Sequence, residues 1–172
     1  MREVTKLTDN KFLNIYSVKD VDKHINGYQY AERLGKDSVA FVCYDGKIDK
    51  YLVNHEQKPP VNAFIDTAFG GSIDKNRSHQ QIVVEEVKEE AGFEVNESDL
   101  VYIGGYFVST QMNQFCHLYL VTVDREKQGE RKPENKVEES ASTVWLTEKE
   151  IMQGMDWKAI VIISKYREIR WK

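Results

Sequence analysis

The sequence predicts an α+β fold, an α/β/α sandwich in which helices cover both faces of a mixed central sheet. The first observation behind this prediction is the order of segments, because strand-like runs are followed by one helical segment, two more strands and then closing helices. The second is length, since 172 residues are enough for one domain with a buried core and too few for two. We therefore expect a single domain over residues 1–172.

Four strands are predicted before the central helix. Their residues alternate between apolar and polar types or run apolar for several positions, as in half-buried and buried strands. The segments are YQYAERL, SVAFVCY, DKYLVNH and NAFIDTAF, residues 28–34, 38–44, 49–55 and 62–69. Turn signals in YDGK and KPPVN separate them. The first half of the chain is therefore expected to be mainly sheet.

One helix of about four turns is predicted over residues 78–91. Ser78 is a residue type favoured at the N-cap, and Gly92 stands where a C′ glycine is expected. Two strands, LVYIGGYFV and FCHLYLVTV, then follow. The helix is thus expected to lie between two groups of strands.

A long polar segment, from Asp124 to Ser142, precedes the last elements. It is longer than an ordinary connection, so we expect either a functional loop or a flexible, solvated insertion. The short strand TVWL follows, and Thr147 is expected to cap a helix that begins with EKEIM. The segment DWKAIVIISKYREIRW is predicted to form the final helix.

Composition excludes several classes of protein. With 41% hydrophobic and 30% charged residues, the chain is typical of folded soluble proteins. A net charge of -4 argues against nucleic-acid binding through phosphate neutralisation. No apolar run has the length of a signal peptide or membrane span, so we expect a cytoplasmic protein that binds no membrane. Cys43 and Cys116 are expected to be core thiols rather than a disulfide or a zinc site.

Four glutamates crowd the predicted helix within six positions: Glu85, Glu86, Glu89 and Glu90. At roughly 100° per residue they cover a sector of about 140°, where like charges repel by a few tenths of a kcal/mol per pair. A solvated acidic face is one interpretation. A divalent cation is the other, because carboxylate oxygens suit Mg²⁺ and its charge relieves the repulsion.

Two glycines lie upstream of this acidic face. Gly70 and Gly71 allow the backbone to approach a ligand closely, and the N-terminus of the following helix offers amide donors to phosphate. Metal, phosphate and water are therefore expected to meet between the glycines and the glutamates.

This segment resembles the signature of the Nudix hydrolases. That signature reads Gly, five residues, Glu, seven residues, Arg-Glu, an aliphatic residue, any residue, Glu-Glu, any residue, Gly and an aliphatic residue. The matching positions are Gly71, Glu86, Val87, Glu89, Glu90 and Gly92, and Phe93 supplies a bulky apolar residue at the end. Two positions depart together, because Arg77 stands where the family has Glu and Glu85 stands where it has Arg. We interpret this as a compensated exchange that keeps a supporting ion pair; the alternative is a degenerate motif with weakened catalysis.

The resemblance implies the Nudix fold and an enzyme that hydrolyses a phosphoanhydride with the help of a divalent cation. GGSID and the closing helix are similar to those of ADP-ribose and nucleoside-diphosphate-sugar pyrophosphatases. The expected substrate is therefore a small nucleoside diphosphate linked to a group X, ADP-ribose or a related nucleotide sugar. Its products would be a nucleoside monophosphate and phosphorylated X. The alternatives are a house-cleaning nucleoside triphosphate pyrophosphohydrolase and a low-activity nucleotide-binding module.

The resemblance also assigns roles to residues. Metal ligation, by Mg²⁺ or alternatively Mn²⁺, is expected at Gly70, Glu86, Glu89 and Glu90. Glu89 would orient water as well, and the general base is expected at Glu138 or Glu139, on a loop that closes over the substrate as a lid. Substrate contacts are expected at Arg33, Lys58 and Gly71, and structural support at Arg77 and Glu85. Similar pyrophosphatases are commonly dimers that exchange N-terminal strands, so residues 1–36 are a candidate arm and a homodimer is expected.

Overall fold

The computed structural model describes residues 1–33, 35, 37–73, 76–133 and 136–170. The strands are β1 (Arg2–Lys6), β2 (Leu13–Asp20), β3 (Ile25–Arg33), β4 (Ser38–Asp45), β5 (Lys50–Lys58), β6 (Ala63–Thr67), β7 (Phe69–Ser72), β8 (Leu100–Ser109), β9 (Met112–Thr122) and β10 (Ser142–Leu146). The α-helices are α1 (His79–Glu86), α2 (Lys136–Glu139), α3 (Glu148–Met152) and α4 (Trp157–Arg170). A π-helical turn, Val87–Ala91, continues α1, and short 3₁₀ helices lie at Val21–Lys23, Glu97–Asp99 and Arg125–Lys127.

Within the described residues, ten strands form one mixed sheet. The main order is β1-β2-β3-β9-β4-β5-β10, while β6 pairs with β5, β7 with β4 and β8 with β9. The central pair, β4 and β9, is parallel, and its neighbours β5, β7 and β8 are antiparallel to it. The predicted mixed sheet is confirmed.

Two hydrophobic cores lie on opposite faces of this sheet. Successive residues of a strand point to opposite faces, so β4 contributes Ala40 and Val42 to one core and Val39 and Phe41 to the other. Helices α3 and α4 cover the first core, and α1 with its π-helical turn covers the second. The α/β/α sandwich is therefore confirmed.

The cysteines are distributed between the two cores. Cys43 lies in the core under α1 and Cys116 in the core under α4. Both thiols are buried and free, as predicted, and burial raises the pKa of each. No helix in the described ranges is long and apolar enough to cross a membrane.

Some predicted elements were wrong. NAFIDTAF forms two strands, because Ala68 donates its backbone N–H to the buried Asp156 carboxylate at 2.7 Å and the chain crosses from β5 to β4 there. Strands β1 and β2 were not predicted; every residue of β1 is exposed, whereas most residues of β2 are half-buried or buried. Leu34 and Trp171, which end two predicted segments, and residues 134 and 135 of the predicted loop lie outside the described residues.

An aromatic stack anchors the start of α1 to the sheet. The imidazole of His79, the first residue of α1, shares a hydrogen bond with the Tyr119 hydroxyl and stacks on His117 with ring centroids 4.2 Å apart. The Tyr102 hydroxyl lies 3.1 Å from Nδ1 of His117. Burial, and then the charge of His79, lower the pKa of His117, while Asp37 acts weakly in the opposite direction.

The lowered pKa of His117 predicts acid sensitivity. The unfolded chain binds this proton more readily, so the stabilisation is complete above the ordinary histidine pKa of about 6.5 and is lost as pH falls through the lowered pKa. His117→Gln should therefore lose less melting temperature than the wild type between about pH 7.5 and about pH 5. His24→Asn, which removes an exposed imidazole outside the stack, is the control. Equal losses in wild type and His117→Gln would contradict the prediction.

Candidate active site

A cavity of about 630 Å³ opens between β5, β7 and α1. It brings together most of the residues predicted from the sequence: Arg33, Lys58, Gly70, Gly71, Glu85, Glu86, Glu89, Glu90 and Glu138. Arg77 and Glu139 are not part of its lining. Residues from distant parts of the chain thus face one space.

The position of α1 is set by its cap and its apolar side. The Ser78 hydroxyl accepts a hydrogen bond from the Gln81 amide at 3.2 Å, and the Gln81 side chain accepts one from the Ser78 amide at 3.1 Å. This reciprocal capping box satisfies two amides that the first turn leaves without partners. Val83 and Val87 are fully buried against the sheet, which turns the glutamates towards the cavity.

Glu90 is the most deeply buried of the four glutamates. It is 7% exposed, and its Oε2 accepts a hydrogen bond from the Gly70 amide at 3.1 Å. Burial raises its pKa to about 7; the Gly70 amide acts in the opposite direction, Glu138 and Glu56 add to the rise, and Arg131 opposes it. The acidic face is therefore not simply solvated, and it concentrates negative charge in a partly dry site.

Each glycine of the GG pair permits a different close approach. A Cβ on Gly71 would lie 2.1 Å from Oε1 of Glu86, whereas a Cβ on Gly70 would lie 2.7 Å from the backbone oxygen of Val39 on β4. Gly71 thus leaves space for the Glu86 carboxylate, and Gly70 leaves space for the neighbouring strand.

The chemistry of the cavity suits a hard divalent cation. Asn54, a lining residue that is 6% exposed, has a buried Oδ1 without a hydrogen-bond partner in the described structure. A hydrated cation would supply water donors for this oxygen and positive charge for Glu90, and the oxygen-rich donor set matches Mg²⁺ or Mn²⁺.

The carboxylates are not yet arranged around a single point. In the part of the chain that the structure describes, no three acidic, histidine or cysteine side chains converge closely enough to hold a metal ion. The donors of the described residues therefore surround a space whose chemistry fits a cation, without converging on one point.

The exchanged charges form an ion pair. Nη1 of Arg77 lies 2.6 Å from Oε2 of Glu85, with about a third of each side chain exposed. Arg77 sits beside the N-cap of α1, and Glu85 lies two turns later, so the pair joins the loop before the helix to the helix itself. The expected reversed ion pair is present in the structure.

The predicted cationic contacts differ in their availability. Nη2 of Arg33 donates to the Ser72 hydroxyl at 3.3 Å. Nζ of Lys58 lies 2.5 Å from Oε1 of Glu56, which also accepts a hydrogen bond from Thr67 at 2.9 Å. Lys58 is therefore paired with the Glu56 carboxylate, and a ligand could bind its ammonium group only by displacing that carboxylate.

Several polar residues of the lining were missed by the sequence reasoning: Ser38, Asn54, Glu56, Ser72, Gln114 and Lys158. Sheet register brings most of them together; Ser38, for example, lies opposite both Ser72 and Cys116. The sequence held one signal for Asn54. It lies on the same face of β5 as Leu52, so a polar residue occupies a position that strand alternation predicts to be buried.

The predicted lid is docked onto the end of the acidic helix. Four carbonyl groups there accept hydrogen bonds from residues 128–132. The pairs are Gln128 Nε2 to Ala91 at 3.0 Å, Gly129 N to Gly92 at 2.7 Å, Arg131 Nε to Glu90 at 2.6 Å and Lys132 N to Glu89 at 2.8 Å. This half of the loop is therefore not a solvated insertion. It leads to α2, where Glu138 lines the cavity and Glu139 is exposed.

Comparison with solved structures supports this fold. The structure of an ADP compounds hydrolase superposes with a TM-score of 0.70 at 15% sequence identity, covering 98% of this chain and 90% of that one. At such low identity the likeness is one of fold alone. No curated protein matches the sequence.

Comparison with family models is more specific. The model of the NUDIX domain matches residues 35–165, from just before β4 to a point within α4. This range includes the glycine pair, the acidic helix and Glu138. Because the match covers most of the chain, the protein belongs to the Nudix family of pyrophosphohydrolases.

Proposed function

We propose that the protein hydrolyses the pyrophosphate bond of a nucleoside diphosphate linked to a group X, most specifically ADP-ribose or a related nucleotide sugar. The products would be a nucleoside monophosphate and phosphorylated X. The observation that carries the proposal is the buried Glu90 carboxylate, which shares an oxygen-rich cavity of about 630 Å³ with Glu86 and Glu89. A cavity of this size holds a nucleotide-sized ligand, and the fold likeness to an ADP compounds hydrolase favours this substrate class.

The metal would be Mg²⁺, with Mn²⁺ as the alternative, as Nudix hydrolases generally use divalent cations. Glu86, Glu89, Glu90 and the Gly70 carbonyl are the proposed ligands. When bound, such a cation neutralises the diphosphate and lowers the pKa of the attacking water.

The protein's own groups complete the reaction. Glu138 is the proposed general base, because its side chain lines the cavity whereas Glu139 does not. It takes the proton as the water oxygen bonds to phosphorus and the bridging phosphoanhydride bond breaks. Arg33 and Lys158 are the proposed cationic contacts for the phosphates, with Lys58 available once it leaves Glu56.

The predicted homodimer and its exchanged N-terminal arm, like the single domain over residues 1–172, stay predictions. The family match begins at residue 35, after strands β1 to β3. Sedimentation equilibrium would test the dimer, since a mass near 20.0 kDa rather than twice that value would exclude it.

The function is tested by assaying product release from ADP-ribose, other nucleotide sugars and nucleoside triphosphates, with Mg²⁺ and with EDTA. Glu86→Gln should lower kcat by about a hundredfold or more, since even outer partners of metal ligands are worth about ten- to a hundredfold. Glu94→Gln, at an exposed glutamate that pairs with Lys88, is the matched control.

EDTA-resistant turnover, or a fully active Glu86→Gln, would contradict the proposal. Release of pyrophosphate from triphosphates would favour the house-cleaning alternative. Ligand-induced thermal stabilisation without turnover would favour the nucleotide-binding module.

The two glycines should differ in their effect on stability. Gly71→Ala should push the Glu86 carboxylate aside and lower kcat/KM by about tenfold or more, with little change in melting temperature. Gly70→Ala should lower kcat/KM and also lower the free energy of unfolding by about 1–3 kcal/mol, because its carbonyl is a proposed metal ligand and its Cβ meets strand backbone. If Gly71→Ala keeps the wild-type kcat/KM, the position of the Glu86 carboxylate does not affect catalysis, and the prediction is wrong.

The Arg77 and Glu85 ion pair should behave as a unit. Arg77→Glu places two carboxylates together and should lower activity, while its effect on the free energy of unfolding stays at about 1 kcal/mol or less because the pair is partly exposed. The double exchange, Arg77→Glu with Glu85→Arg, should recover kcat/KM to near the wild-type value. A double mutant with merely additive losses would argue against compensation.

A further inference from the structure

We propose that Arg131 is a positioning residue that clamps the Glu138 segment to the end of the acidic helix. The inference rests on the proposed function, in which Glu138 is the general base. It assigns to a residue outside the family signature the task of holding that base in place.

The guanidinium group of Arg131 bonds three backbone carbonyls from two parts of the chain. Nε donates to the oxygen of Glu90 at 2.6 Å, Nη1 to that of Ala141 at 2.7 Å and Nη2 to that of Glu138 at 3.3 Å. Only a planar group with donors fixed in a fork can reach all three at once. One side chain therefore joins the C-terminal end of the acidic helix to both ends of the turn after α2.

The helix end is suited to receive this clamp. After the π-helical turn, the carbonyls of the last residues have no partners further along the helix, and the segment before α2 supplies them. Gln128 bonds the neighbouring carbonyl of Ala91 at 3.0 Å, but the bonds of Arg131 continue to Glu138 and Ala141. Arg131 thereby holds the backbone of Glu138 at a fixed position relative to that of Glu90.

Helix α2 depends on such contacts for its placement. It spans four residues, Lys136–Glu139, and a helix this short is not stable by itself. The Ala141 amide donates to the Glu138 carbonyl at 3.1 Å, so the two carbonyls that Arg131 holds belong to one closed turn. Ala141 is itself buried, which fixes the far side of that turn.

The expected consequence is a selective loss of kcat. Arg131 does not line the cavity, whereas Glu138 and Glu90 do. Removing the fork should therefore leave substrate binding intact while Glu138 loses its alignment. A shift of about 1 Å at a catalytic group lowers the rate by about a hundredfold.

The test is a double-mutant cycle of Arg131→Gln and Glu138→Gln, with kcat and KM measured alongside hydrogen exchange of the Ala141 amide. Arg131→Gln should lower kcat by about ten- to a hundredfold with KM close to wild type. It should also increase exchange at Ala141, and it should cause no further loss of kcat in the Glu138→Gln background. Gln128→Ala removes a bond to the same helix end but not to Glu138, so as the matched control it should keep its kcat.

The proposal would be overturned if the two losses of kcat were additive in the cycle. It would also be overturned if Arg131→Gln kept the wild-type kcat while Glu138→Gln was impaired. If Glu138→Gln keeps the wild-type kcat, or the wild type hydrolyses nothing, the proposed function fails instead. Hydrogen exchange then decides the clamp alone, with increased exchange at Ala141 supporting it and unchanged exchange overturning it. Should Arg131→Gln fail to fold, Arg131→Lys, which keeps the charge without the fork, takes its place in the same cycle.

Discussion

The hydrogen bond from the Gly70 amide to the buried Glu90 carboxylate is the contact on which the site depends. It joins β7 to the turn that ends the acidic helix, and it partly offsets the desolvation that raises the pKa of Glu90 to about 7. One amide compensates a buried carboxylate only in part. The Glu90 carboxylate is therefore short of positive partners, which makes the cavity suited to a cation. The same carboxylate also anchors strand β7, in which Gly71 lies against the Glu86 side chain.

The exchanged charges of Arg77 and Glu85 meet in the structure as an ion pair. Arg77 directly precedes the N-cap of α1, where the helix dipole disfavours positive charge by some tenths of a kcal/mol. The 2.6 Å contact with Glu85 offsets this effect and links the residue before the N-cap to the helix. An ion pair can make that link with either sign at either end, so we expect the function to depend on the pairing of the charges, which the double exchange tests.

Local patterns predicted the parts of the molecule that local forces determine. The cap at Ser78, the apolar side of α1 and the spacing of its glutamates follow from helical periodicity, and the alternation in β4 follows from strand geometry. The break at Ala68 did not follow, because it depends on Asp156, 88 residues away. Lys158 was not predicted for the same reason, since the packing of α4 on the sheet brings it to the cavity.

The long polar segment is anchored to the acidic helix along its first half. Residues 128–132 donate hydrogen bonds to carbonyls at the end of the acidic helix. The same bonds therefore hold the loop in place and satisfy the helix end. Residues 128–132 are held by these bonds, so we expect a closing movement over the substrate to involve α2, which carries Glu138. Arg131 donates to the carbonyls of both Glu90 and Glu138, so one side chain ties α2 to the end of the acidic helix. A side chain that the signature omits thus connects the proposed metal ligands to the proposed base.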